Sequence, residues 1–282
     1  MAISLRPLAG GIARALAFVL LFVLLSVALL QLFGQPLDAA LGDKRVTEGF
    51  VSLVSALLAT TIMLRSIDVR PWSDVGLGRQ AARPRVLVEG LILGGVTIGA
   101  ACAALLAFGW LRIVPAAPGS SLGAALRISA FLLPAALTEE LITRGYLLTA
   151  IRDATGARIA ALVTSLLFGL AHLRNPGVTF EAIFNVTLAG VFLAAVRLAL
   201  DSLYAAWAAH AAWNWMMAVP FHLSVSGISF DVPDYRTVST GPAWATGGAW
   251  GPEGGVAAAV GMLAGLFYLY RLNRSRPDRE ES

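Results

Sequence analysis

"PAALTEELITRGYLL", Pro134 to Leu148, sets two adjacent glutamates and an arginine inside a run otherwise apolar enough for a lipid bilayer. A charged side chain at membrane depth costs roughly 3 kcal/mol or more unless it is paired or hydrated, so such residues mark function. The rest of the chain decides that the run is a membrane helix. Of 282 residues, 57% belong to the hydrophobic set and 13% are charged, with a mean hydropathy of +0.75. These values exclude an ordinary soluble domain and give an integral membrane protein.

A membrane span needs about 20 predominantly apolar residues. Windows of that kind lie at 13–33, 48–66, 87–111, 122–150, 157–174, 178–200, 203–221 and 254–272. The expected fold is an all-α bundle of about eight transmembrane helices around a polar intramembrane cavity. Arg6 and Arg14 precede "ALAFVLLFVLLSVALLQLF", whose length exceeds a signal-peptide core, so it reads as a retained first span. Arg65, Arg70, Arg79, Arg83 and Arg85 crowd the second connection, Arg152 and Arg158 the fourth, and Arg271, Arg274, Arg276 and Arg279 the tail. The positive-inside rule puts all three regions, and both termini, on the cytoplasmic side of a cell membrane. The opposite side receives Asp38, Asp43, the "VPAAPGSS" turn and the segment 222–253, where Asp231, Asp234 and Glu253 outnumber Arg236.

In that outer segment "GPAWATGGAWGPEGG" reads as a loop anchored at the interface by Trp244 and Trp250. In the third span Gly90 and Gly94 stand four apart, which lets helices approach closely. Cys102, the only cysteine, excludes an intrachain disulfide and thiolate-built zinc, and reads as a small buried hydrophobe. No groove of basic and aromatic residues points to nucleic acid; the partners expected are the bilayer and a membrane-associated substrate.

Three polar clusters lie at membrane depth. Glu139, Glu140 and Arg144 share the fourth span; successive positions are about 100° apart, so the carboxylates diverge while Glu140 and Arg144 pair one turn apart. On the fifth span, "FGLAH" puts Phe168 and His172 one turn apart, and on the seventh, "HAAWN" does the same for His210 and Asn214. A plain reading is a set of interhelical hydrogen bonds. A chemical reading is peptide hydrolysis: a shielded glutamate acts as base on water beside an imidazole, and a histidine with an asparagine stabilises the oxyanion. No HExxH helix and no evident serine or cysteine nucleophile is present. Glu139, His172 and His210 can alternatively be drawn as a zinc site with water in the fourth position.

"EELITR", "FGLAH" and "HAAWN" fit EExxxR, FxxxH and HxxxN in order on successive helices, and this resembles the CPBP family, also called the ABI or CAAX protease family, of intramembrane endopeptidases. The resemblance covers roughly 120–220, which reads as the catalytic core. Residues 1–119 read as N-terminal membrane helices, and 221–282 as a glycine-rich outer loop, a last span and a basic tail. The resemblance implies Glu139 as general base, His172 sharing the attacking water, His210 and Asn214 as oxyanion site, and Glu140 with Arg144 as a supporting ion pair. It implies no obligatory cofactor: the metal-free form is favoured over zinc. The compact arginine-rich loops look bacterial, and a prenylated substrate is not expected.

Two other readings keep the same helices. One is a non-catalytic bacteriocin-immunity or partner-binding membrane protein of this fold; the other is a transporter with a proton relay, which no inverted repeat supports. The windows also raise a geometric conflict, because they put Glu139 toward the cytoplasmic part of its span and His172 near the outer end of the next.

Overall fold

The polar residues of the fourth run explain how it folds into one long helix. In the computed structural model, which describes residues 5–274, Ser120 caps α4 (Ser121–Glu140) by accepting from the Gly123 amide. Pro134 removes one backbone donor, yet the helix continues through a π-turn, Leu141–Leu147, into α5 (Leu148–Thr155). The hydroxyls of Thr138, Thr143 and Thr149 donate to the carbonyls of Pro134, Glu139 and Gly145, so none of the three is left unpaired in an apolar setting. Gly156, at φ +87°, then breaks the helix and turns the chain back as α6 (Ala157–Ala171).

The remaining elements are α1 (Leu5–Leu41), α2 (Lys44–Ile62), α3 (Pro84–Ala107), β1 (Leu111–Pro115), α7 (Phe180–Ala199), α8 (Leu203–Ala218), β2 (Tyr235–Ser239), α9 (Ala243–Thr246) and α10 (Val256–Arg274). Leucines at 16, 20 and 24 of α1 stay 59–66% exposed, as lipid-facing side chains do. Six helices are long and apolar enough to cross a membrane: Leu8–Leu41, Lys44–Asp68, Pro84–Ala107, Ser121–Thr155, Phe180–Ala199 and Val256–Arg274. The helices in the fifth and seventh windows have 15 and 16 residues. At about 1.5 Å per residue they fall short of a hydrocarbon core of roughly 30 Å. The expected bundle of about eight spans is therefore six long apolar helices and two shorter ones among the described residues. Among the described residues the strands form one two-stranded antiparallel ribbon, in which Leu111 to Pro115 of β1 face Ser239 to Tyr235 of β2.

Connections gather at two ends. At the arginine-rich end Arg14 bonds Asp68 at 2.9 Å and Asp153 at 3.1 Å, and Arg70 bonds Asp153 at 2.7 Å. The turn before α8 joins this end, with the Leu203 amide donating to the Gly76 carbonyl at 2.9 Å. The ribbon and the loops after α1, α6 and α8 meet at the other end. Arg276 and Arg279 of the basic tail lie outside the described residues, as does the side chain of Arg6.

The glycines of the third span do what their spacing predicts. A Cβ on Gly90 would collide with the Ala205 carbonyl oxygen, and one on Gly94 with that of Ala209. Two positions one turn apart on α3 thus lock to two on α8, and the next residue on α8 is His210. Cys102 is fully buried in the same core.

Candidate active site

The hairpin at Gly156 resolves the conflict over depth. Glu140 precedes that glycine by 16 residues and His172 follows it by 16; Arg144 and Phe168 stand 12 on either side. Residues equidistant from a tight helical turn lie at similar height, and the Arg144 guanidinium indeed sits 4.2 Å from the Phe168 ring centroid. Hydropathy windows misplaced the level because α5 runs on to Thr155, past the limit set at residue 150.

Glu140 and Arg144 are both fully buried and form the expected pair, Nη1 to Oε1 at 2.9 Å. The guanidinium also donates to the Thr143 hydroxyl at 2.8 Å and to the Gly190 carbonyl at 3.1 Å, which ties the π-turn to α7. His210 adds a contact that sequence spacing did not reveal: its Nδ1 lies 2.9 Å from the same Glu140 oxygen. A carboxylate facing both a guanidinium and a ring nitrogen accepts from each, so Nδ1 carries the hydrogen and fixes the imidazole.

The other edge of that ring faces Glu139. His210 Nε2 lies 3.8 Å from Glu139 Oε2, and Glu139 keeps 38% of its side chain exposed. Buried oxygens of Glu139 and Glu140, both Oε2, have no hydrogen-bond partner. At 3.8 Å, His210 Nε2 and Glu139 Oε2 face each other without a direct hydrogen bond. The two neighbouring glutamates are thus divided as their helical angle predicts: one is held by Arg144, the other is open.

His172 caps the end of α6, with Nδ1 donating to the Phe168 carbonyl at 2.7 Å, which leaves Nε2 as an acceptor in the neutral ring. Its ring lies 4.8 Å from that of Phe168, and His210 meets Phe168 edge-on at 5.8 Å. His172, His210 and Asn214 line one cleft with about 390 Å³ of empty volume, together with Phe168, Ser226 and Glu253. Among the described residues no hydrogen bond or ion pair joins Glu139 to His172 or Asn214.

The described residues contain no group of three histidine, cysteine, aspartate or glutamate side chains gathered for a metal. Of the proposed triad only Glu139 and His210 face each other, and His172 is turned onto its own helix.

Sequence reasoning missed the outer wall of the cleft. Trp250, expected as an interfacial anchor, is fully buried among Phe168, Ala182 and Val186, whereas Trp244 is exposed. Glu253, counted there as an outer-side surface charge, is 7% exposed and lines the cleft. The available signal was that it is the single acid between residues 235 and 255, next to the start of a span.

Residues 121–216 match the family model described as Type II CAAX prenyl endopeptidase Rce1-like. No curated protein and no solved structure matches the chain. The match takes in all three motifs and ends two residues beyond Asn214.

Proposed function

From the premise that residues 121–216 belong to the CPBP, or CAAX protease, family of peptide hydrolases, we propose that this multi-pass membrane protein is an intramembrane endopeptidase acting by glutamate-activated water. The observation that carries the reading is the unpartnered Oε2 of Glu139 facing Nε2 of an imidazole whose other nitrogen is fixed by Glu140.

In this mechanism a water held between Glu139 and His210 attacks the carbonyl carbon of a peptide bond in a membrane-associated segment. Glu139 takes its proton, the carbonyl π electrons move to oxygen, and the tetrahedral intermediate forms. His172 lies across Phe168 at the same height and gives the water a second imidazole to lean on. The oxyanion is held from α8, by Asn214 Nδ2 and by His210 when both ring nitrogens carry hydrogen. Collapse of the intermediate breaks the C–N bond, and the proton on Glu139 passes to the leaving amine. Glu140 and Arg144 act through His210 by fixing its orientation. No step is routed through a metal, and the arginine-rich end is assigned to the cytoplasm of a bacterial cell.

The test is cleavage of a membrane-peptide library by the purified protein and by Glu139→Gln and His210→Ala, each with and without chelator. Loss in both variants with no chelator effect is the expected result. Chelator-sensitive cleavage restored by zinc would move the three residues to a metal site, and unchanged cleavage by folded variants would sink the assignment.

A further inference from the structure

The outer wall of the cleft contains a carboxylate that the mechanism above does not use. Glu253 Oε1 accepts from the Ser226 amide at 2.5 Å and from the Ser226 hydroxyl at 2.7 Å, while Oε2 accepts from the Trp213 indole at 3.1 Å. Both oxygens are engaged, as burial of a carboxylate requires.

Each partner leads directly to a residue of the proposed machinery. Trp213 precedes Asn214 on α8 and lies within one turn of His210. The carbonyl of Ser226 accepts from Asn175 Nδ2 at 3.0 Å, and the Asn175 amide donates to the His172 carbonyl at 3.1 Å. Glu253 is therefore the branch point of a continuous hydrogen-bond path from the end of α6 to the middle of α8. The junction has no slack. Gly227, at φ +79°, leaves no room for a Cβ against the Pro176 carbonyl, and its amide donates to the Trp250 carbonyl at 2.9 Å. Trp250 in turn packs against Phe168, the ring that both histidines contact.

We propose that Glu253 is a positioning residue that sets the separation of His172 from His210 and Asn214 across the cleft. The kinetic consequence rests on the peptidase reading; the structural coupling does not. Two readouts on the full-length protein keep them apart: amide hydrogen exchange of 172–177 and 210–217, and cleavage kinetics.

Glu253→Ala removes both arms, so it should raise exchange in both segments and lower kcat roughly 100-fold with KM held within about twofold, the loss expected of a misplaced catalytic group. Glu253→Gln retains an oxygen for Ser226, but its amide nitrogen cannot accept from Trp213. Trp213→Phe deletes the same contact from the other side. These two should match each other, raising exchange only in 210–217 and lowering kcat roughly tenfold, and they serve if Glu253→Ala fails to fold. A merely structural role would instead lower the melting temperature and the active fraction while leaving kcat per active molecule unchanged. Unaltered exchange in all three variants would overturn the inference. Raised exchange with no cleavage by the wild type on any peptide would uphold the coupling and count against the peptidase reading.

Discussion

Two clusters in this molecule each contain two acids and two bases, and they are built in opposite ways. At the arginine-rich end Arg14, Asp68, Arg70 and Asp153 are 5–36% exposed and paired across three elements, and Tyr146 donates to Asp68 at 2.7 Å. Around His210, the group Glu139, Glu140, Arg144 and His210 includes two fully buried charges, and three of its atoms, Glu139 Oε2, Glu140 Oε2 and Arg144 Nε, have no partner. The first cluster is saturated and half-wet, so its work is to hold connections together. The second leaves polar atoms unmatched where burial makes that costly, which suits the reactive role proposed for it better than that of a clasp.

The largest effect should come from removing one member of the fully buried pair. Arg144→Leu leaves the buried Glu140 with only the His210 ring as partner and deletes the bond to Gly190, so unfolding in detergent should lose about 3–5 kcal/mol. A loss no greater than that of a surface variant would mean that the cleft is wetter than its burial implies. Next is Glu139→Gln, nearly isosteric and one-third exposed. It should lower cleavage by roughly 10³-fold, within the range for loss of a general base, while the melting temperature moves little. The two neighbouring glutamates thus predict opposite phenotypes: substitution at 139 costs rate, and breaking the pair at 140 and 144 costs stability. Equal losses of both kinds at 139 would erase the distinction.

Much of this was legible in the sequence because it is local. Eight helical segments, the Glu140–Arg144 pair and the packing of Gly90 and Gly94 depend on one-turn spacings and on apolar length. What was missed depends on contacts between distant residues. Glu253 reaches Trp213 across 40 positions, His210 reaches Glu140 across 70, and the ribbon pairs Leu111 with Ser239. Local composition misled for Trp250, since a tryptophan in a glycine-rich loop suits an interface until the loop folds inward over Phe168. With 15 and 16 residues, α6 and α8 are shorter than the apolar windows that contain them.

At the saturated cluster effects should be smaller and graded by exposure. Tyr146→Phe removes one donor to Asp68, whose side chain is 5% exposed, and leaves the ring stacked on Phe18 at 4.6 Å. A loss of about 1–2 kcal/mol is expected, since the bond is to a charged acceptor. Arg14→Gln should cost less, about 0.5–1 kcal/mol, because Arg70 still holds Asp153 and Tyr146 still holds Asp68. That cost should shrink between 0.05 and 0.5 M salt, concentrations chosen to bracket a screening length of about 10 Å. The same titration on Arg144→Leu should show almost no salt dependence, because no ions reach a guanidinium with no exposed surface. The contrast between the two titrations separates clasp from site without any substrate. If Arg14→Gln proved salt-insensitive and as damaging as Arg144→Leu, the arginine-rich end would have to be as dry as the cleft, and pairing alone would no longer explain why only one cluster keeps a free carboxylate.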